Sequence, residues 1–448
     1  MNYNFPEWAI HGATPQPFDE PAPLIDNGTG RPSPERYFDP AFAKQEWEKV
    51  FVRSWLLACP VSDVSEPGDF YRFDIGPESF IIVRGDDGDV HAHYNVCPHR
   101  GSQLVLGDFG ALDQFTCPFH SWKFGLDGQI ASVTDRETFD PKVLCHDLNL
   151  TSVRCEVAAG LVFIAMSEDV PPLREYLGPV LAHLELYEID KMYVIQHRQS
   201  EWAANWKGGV DAFAEIYHLH AVHPQTQCLM SDRTQIDLYP NGHSRQFVPF
   251  ATPSPRFGDQ QSINPGIAMM LRDAGIDPDS FAGSAQDART AIQQAKRERS
   301  AKYHLGYEKF SDSQLSDSVP FSVFPNAQIG CHPEAVFLHR FIPHAKDPNR
   351  FTYDTCILYR HVDAPGYSAP AWMGLDPSVD LSGATRPAIE RTGLGEPPHL
   401  GEVLDQDSEL LPFVQMGASS RGFRGPIWSE QEARLRHIHA EIDRKMAE

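Results

Sequence analysis

Cys97-Pro98-His99-Arg100-Gly101 and Cys117-Pro118-Phe119-His120-Ser121-Trp122 form two turn-like segments, with seventeen residues between His99 and Cys117. Each offers one thiolate and one imidazole, and Pro98 and Pro118 stiffen both loops. Two such loops can close over a two-iron, two-sulfide cluster, with Cys97 and Cys117 on one iron and His99 and His120 on the other. Neutral imidazoles in place of two thiolates lower the negative charge, raising the potential to about −150 to +300 mV from about −400 mV for four-Cys ferredoxins. Two alternatives compete: a structural zinc, although zinc fingers pair Cys with Cys and His with His along the chain, and four unrelated core residues.

The surrounding residues decide between them. Asn95-Val-Cys-Pro-His-Arg-Gly101, Cys117-Pro-Phe-His-Ser-Trp122 and Leu126-Asp-Gly128 resemble the Rieske signature at almost every position. From Tyr71 to Phe163 the chain reads as short strands and turns, with Phe80-Ile-Ile-Val83, Asp87-Gly88, Asp127-Gly128 and Leu161-Val-Phe-Ile164 as examples. Upstream, the prolines of residues 11–36 predict an extended arm, and Asp39-Pro40 predicts a helix start. Pro171-Pro172 marks a boundary. Downstream, the patterns predict helices over Glu201–Val222, Ser284–His304 and from Ser429, with antiparallel strands over 320–330, 335–343 and 351–362.

A second constellation lies between Asn205-Trp206-Lys207 and Pro224: Glu215, His218, His220 and His223. On a continuous helix, His218 lies about −60° and His223 about +80° from Glu215, while His220 falls near about +140°, off that face. Two imidazoles and a carboxylate with open coordination positions form the ligand set of a non-haem Fe(II) that activates O2. Glu215 can be that carboxylate, or the partner that holds His218 by its other ring nitrogen.

Over nearly its whole length the chain resembles the large (α) subunit of Rieske non-haem iron oxygenases. Asn205-Trp206-Lys207, Glu215, His218 and His223 match that family's pattern. The resemblance implies that the two histidines ligate iron and that the acid bridges to the cluster of the next subunit. Two positions depart from the pattern: the bridging acid, most often Asp, is Glu215, and an Asn often found just before it is Ala212. The family's third ligand lies eight residues before the Gln of a Gln-x-Gly stretch. Here Gln415-Met-Gly417 selects Asp407, with Asp405 and Glu409 as rivals.

The fold class expected is α+β: an N-terminal arm and helix over 1–44 packed on the catalytic domain, a Rieske β domain over 45–167, and a helix-grip-like catalytic domain over 168–448. Lys plus Arg number 38 against 61 Asp plus Glu, a net charge of −23 that disfavours a nucleic-acid partner. The longest apolar run, Leu161–Met166, is too short for a membrane span, and the start lacks a basic and apolar leader, so a cytoplasmic protein is expected.

The chain has neither a dinucleotide fingerprint nor a ferredoxin cysteine motif. Electrons are therefore expected from a separate reductase, directly or through a ferredoxin. The resemblance further implies O2 and a small-molecule substrate as co-reactants, and a homotrimer or an α3β3 assembly. Phe247, Phe250, Met269, Met270, Phe321, Phe324 and Phe337 are candidate pocket walls, and this apolar material favours hydroxylation of an aromatic or hydrophobic ring. Oxidative demethylation or monooxygenation of a quaternary amine or methoxy substrate is the runner-up within the class. A non-catalytic Rieske electron carrier is the alternative of another class.

Overall fold

The computed structural model describes residues 16–362, 368–376 and 378–448. Residues 11–15 of the expected arm lie outside the described residues. Asp39 caps the helix Pro40–Glu46 through Ala41 N, as the Asp-Pro pair predicts. The α+β class is borne out: small N-terminal sheets precede one large mixed sheet with helices.

The N-terminal unit holds a four-stranded sheet (Asp69–Ile75, Glu78–Arg84, Val90–Tyr94, Phe109–Ala111). Two three-stranded sheets complete it, one of Phe115–Thr116, Lys123–Phe124 and Ile130–Ser132, the other of Leu56–Pro60, Leu161–Ala165 and Arg154–Ala158. A small core of its own, with Phe70, Ile81, Phe115, Trp122 and Phe124, sits beneath both Cys-His loops.

The catalytic sheet has eight strands. Named by first residue, their order is Gln235, Ser244, Val319, Ala327, Ala335, Phe351, Met192 and Glu390. The strand expected over 320–330 is two strands, Val319–Val323 and Ala327–Cys331, folded into a hairpin. The edge strand Glu390–Thr392 pairs in parallel with Met192–Trp202, so the sheet is not wholly antiparallel. Side chains alternate between faces along a strand. Val336, Leu338, Cys356 and Leu358 thus enter the larger core, while Phe337, His339, Phe341, Tyr353 and Thr355 face the helix Trp206–Phe213. Phe247 and Phe321, expected as pocket walls, are packed in the larger core with Phe18 and Tyr187.

The N-terminal unit abuts the first of these faces. Arg340 donates to Tyr71 Oη (3.1 Å), to the Ala58 carbonyl and to Asp354 (2.8 Å), and His197 Nε2 meets Asp354 at 3.1 Å. Arg386 bridges Asp63 of the N-terminal unit at 3.0 Å through two nitrogens. Removing one partner of a buried pair of this kind costs about 3–5 kcal/mol, because it leaves the other charge uncompensated. Among the described residues no helix is long and apolar enough to cross a membrane.

Candidate active site: two Cys-His loops and a His-His-Asp centre

The two Cys-His loops have the same backbone. Cys97 N donates to Ser102 O and Gly101 N to Cys97 O; Cys117 N donates to Trp122 O and Ser121 N to Cys117 O, all at 2.8–2.9 Å. The fourth residue after each cysteine turns left-handed, Gly101 at φ 75° and Ser121 at φ 58°. The turn aims backbone N–H groups at sulfur, from His99 and Arg100 at Cys97, and from Phe119 and His120 at Cys117. Such a nest favours a thiolate. Burial and the neighbouring thiol raise Cys97 above the ordinary value, whereas at Cys117 the N–H groups outweigh burial and lower it. Buried Asn95 braces the first loop, accepting from Leu104 N (2.9 Å) and Val105 N (3.0 Å) and donating to Val105 O (2.8 Å).

His99 and His120 meet at 4.5 Å between ring centroids, with Trp122 stacked on His99 at 4.7 Å. Their Nδ1 atoms are buried and have no hydrogen-bond partner. A buried polar atom left unpaired is costly. Two imidazole nitrogens without protein partners, facing two thiols that backbone N–H groups favour as thiolates, fit the ligand set of a two-iron, two-sulfide cluster.

The second site depends on how the segment 201–224 departs from a single helix. Glu201 and Trp202 end a strand, and Asn205 caps the helix Trp206–Phe213 by accepting from Lys207 N at 3.0 Å. The helix stops at Ala214, and a short turn, Leu219–Val222, follows. The expected continuous helix is interrupted because the Glu215 carboxylate accepts from Tyr217 N and from His218 N (3.1 Å), replacing main-chain acceptors. The ring positions drawn for one helix therefore do not apply.

The side chains nonetheless converge. His218, His223 and Asp407 offer ligand atoms that all lie within 4.8 Å of one another. Asp407 Oδ1 is 3.1 Å from His223 Nε2 and 3.8 Å from His218 Nε2. Each imidazole is fixed by its other nitrogen: His218 Nδ1 by Glu215 Oε1 (2.5 Å), and His223 Nδ1 by Gln406 Oε1 (2.7 Å). Glu215 thus stands as the partner of His218, outside the group of three. His220 turns aside, with Nδ1 on Tyr217 O at 2.8 Å. Of the rivals to Asp407, Asp405 caps Leu400 N at 2.8 Å and Glu409 is exposed.

A model of the catalytic domain described as "Ring hydroxylating alpha subunit" matches residues 189–448, and one described as "Rieske [2Fe-2S] domain" matches residues 54–148. The chain belongs to the ring-hydroxylating alpha subunit family. It is 35% identical over 208 residues to the carnitine monooxygenase oxygenase subunit of Escherichia coli, covering 45% of this chain and 54% of that one. It is 31% identical over 219 residues to the biphenyl 2,3-dioxygenase alpha subunit of Rhodococcus jostii, covering 47% of each. The match thus spans about half the length of these curated relatives. A quaternary ammonium Rieske monooxygenase crystallised with L-carnitine shares the fold, with a TM-score of 0.64, 20% identity, and 93% of this chain and 97% of that one covered.

In this ring-hydroxylating alpha subunit, the residues matching the family pattern have visible tasks. Lys207 Nζ (2.8 Å) and Trp206 Nε1 (2.9 Å) both donate to buried Glu46. Gln415 ties the helix Glu402–Ala418 to the start of the helix Trp206–Phe213 that leads into the histidine segment, accepting from Asn205 N at 2.8 Å and donating to Tyr37 O and Asn349 Oδ1. That clamp sets Asp407 opposite His218 and His223. For His218, burial acts against the imidazolium but the Glu215 carboxylate outweighs it, so the group is raised above its ordinary value.

Beside Glu215 and His218 opens a cavity of about 430 Å3, lined also by Asp211, Trp428 and Glu432. Leu410 and Val414 line its edge and are exposed, as are Phe413 and Met416 on the same helix. Two residues escaped the sequence reading. Gln406 is a neutral amide beside an acid, and His339 is one alternating strand residue among many; neither carries a motif.

Proposed function

We propose that this chain is the oxygenase component of a multicomponent system, taking electrons from a separate reductase, directly or through a ferredoxin, and oxidising a carbon attached to a quaternary nitrogen. The observation that carries this reading is the convergence of His218 Nε2, His223 Nε2 and Asp407 Oδ1, with both Nδ1 atoms held from behind. Fe(II) at these three ligands supplies the O2-activating centre, and a cluster on Cys97, His99, Cys117 and His120 supplies electrons one at a time.

The chain's own residues do the rest. Glu215 and Gln406 accept the Nδ1 protons, which fixes both imidazoles as neutral Nε2 donors to a metal. Phe213, Phe337 and Trp372 supply partly exposed aromatic faces that favour a quaternary ammonium over a hydrated cation. Hydroxylation of the carbon uses one oxygen atom of O2. Two electrons and two protons reduce the other to water, and the carbinolamine formed splits into a carbonyl and an amine.

The sequence alone puts ring hydroxylation first; the carnitine-oxidising relative supports the amine reading over it. Ring hydroxylation stays as the second reading, on the resemblance to the biphenyl dioxygenase subunit and on the same aromatic wall. A head-to-tail ring of copies belongs to the proposal. The exposed apolar rim around Glu215 offers a seat for the exposed Phe119 beside His120 of the next copy.

Purified protein with a surrogate reductase should consume NADH and O2 on addition of L-carnitine, glycine betaine or choline, with stoichiometric release of an aldehyde and an amine. Coupled oxidation of biphenyl or benzoate alone, with the amines inert, overturns the amine reading in favour of the ring reading.

A further inference from the structure

A row of polar side chains crosses the catalytic sheet under the metal-ligand segment. Ser244, Ser322, Gln328, His339 and Thr355 are successive cross-strand partners on one face. Polar groups on a covered sheet face need partners, and nearly all of this row has them. Ser244 (2.9 Å) and Ser322 (2.6 Å) accept from Arg434. The Gln328 amide, in the orientation that satisfies its neighbours, donates to Phe213 O at 2.8 Å and accepts from Ala214 N at 3.2 Å. Tyr353 Oη lies 2.7 Å and Thr355 Oγ1 3.3 Å from His339 Nδ1.

The exception is His339 Nε2. Assigning Nδ1 as the acceptor for these two hydroxyls places the ring proton on Nε2. That nitrogen has no partner among the described residues, yet it is not sealed off: the side chain is enclosed by protein and still keeps accessible surface. Aromatic rings flank it, with Phe213 at 5.4 Å, Tyr353 at 5.8 Å and Phe337 at 6.5 Å between centroids. The ring adjoins the segment of the two histidines, since Phe213, which packs against it, stands two residues before Glu215. Burial lowers His339 to about 4, so the ring is neutral near pH 7 and presents a single N–H.

We propose that His339 Nε2–H is the specificity-determining donor that orients the substrate beside the metal ligands by binding its carboxylate. The inference rests on the oxygenase reading of His218, His223 and Asp407, and it narrows the substrate class to carboxylate-bearing molecules. A zwitterion suits a neutral donor because it brings its own counter-charge, while Phe213 and Phe337 face its apolar or quaternary end.

Calorimetric titration of the iron-loaded protein tests this with two probe pairs, glycine betaine against tetramethylammonium and benzoate against toluene. In at least one pair the carboxylate member should bind more tightly to the wild type. His339→Phe should weaken binding of that member about 10- to 150-fold, the range for a hydrogen bond to a charged group. Its uncharged or oxygen-free counterpart should stay within about twofold, and His339→Gln, which keeps an N–H, should restore part of the preference. His339→Leu takes the place of His339→Phe if the latter is insoluble.

A carboxylate preference that survives loss of the ring nitrogen overturns the assignment. So does a wild type that favours neither carboxylate. If binding follows the prediction and no probe triggers O2 consumption, the oxygenase reading fails and the role of His339 as carboxylate donor stands.

Discussion

Asp407→Ala is expected to lose its mononuclear iron and at least about 100-fold of its turnover, while the visible absorption of the cluster stays at the wild-type value. Mutating a residue that merely supports a metal ligand costs about 10- to 100-fold in affinity or activity, and a ligand carboxylate sets the lower bound above that. Asp407 is buried, and its Oδ1 faces His223 Nε2 at 3.1 Å. Asp405 and Glu409 are the controls. Asp405 caps Leu400 N and Glu409 is exposed, so their alanine variants should keep iron and activity near wild type. Iron loss in Asp405→Ala with retention in Asp407→Ala would mean that the eight-residue spacing from Gln415 selects the wrong acid.

The second large effect is a gain. Cys117→Ala, which removes the cluster, and His218→Ala, which removes the iron, should each be inactive alone, and co-expression should restore activity. The sheet gives the reason. The N-terminal unit is pinned through Tyr71 to Arg340 and His197 on one face, whereas Phe213, two residues before Glu215, stands over His339 on the other. Among the described residues, no hydrogen bond or ring contact links His99 or His120 to Glu215, His218 or His223 of the same chain. Glu215 Oε1 is engaged by His218 and opens into the cavity of about 430 Å3, where a histidine of a neighbouring copy can reach it. Random mixing in a head-to-tail ring pairs an intact cluster with an intact iron at about one junction in four, so about a quarter of wild-type turnover is expected. Mixed oligomers of verified composition that stay inactive place the electron path within one chain.

The Cys-His loops could be read from sequence because everything that shapes them is local. Each cysteine, its proline and the left-handed residue four positions on dictate the same turn, whatever the rest of the chain does. The spacing from Gln415 pointed to Asp407 because the Gln415 clamp on Asn205 fixes the helix register. The failed element was the helix over 201–222. Its first residues, Glu201 and Trp202, end a strand, and beyond Ala214 the Glu215 side chain, bending back on Tyr217 N and His218 N, breaks the helix. Gln406 and His339 were out of reach for a related reason, since their roles come from partners 183 and 14 residues away. The parallel edge strand Glu390–Thr392 is three residues long and carries no alternation to read.

The central claim is that one chain carries both a two-iron cluster and a separate mononuclear iron. Iron and acid-labile sulfide, quantified together on anaerobically purified and reconstituted protein, test it directly. The account predicts about three irons and about two sulfides per chain. About two irons with two sulfides would leave an electron carrier without a catalytic metal, and zinc without sulfide would contradict the assignment of Cys97, His99, Cys117 and His120.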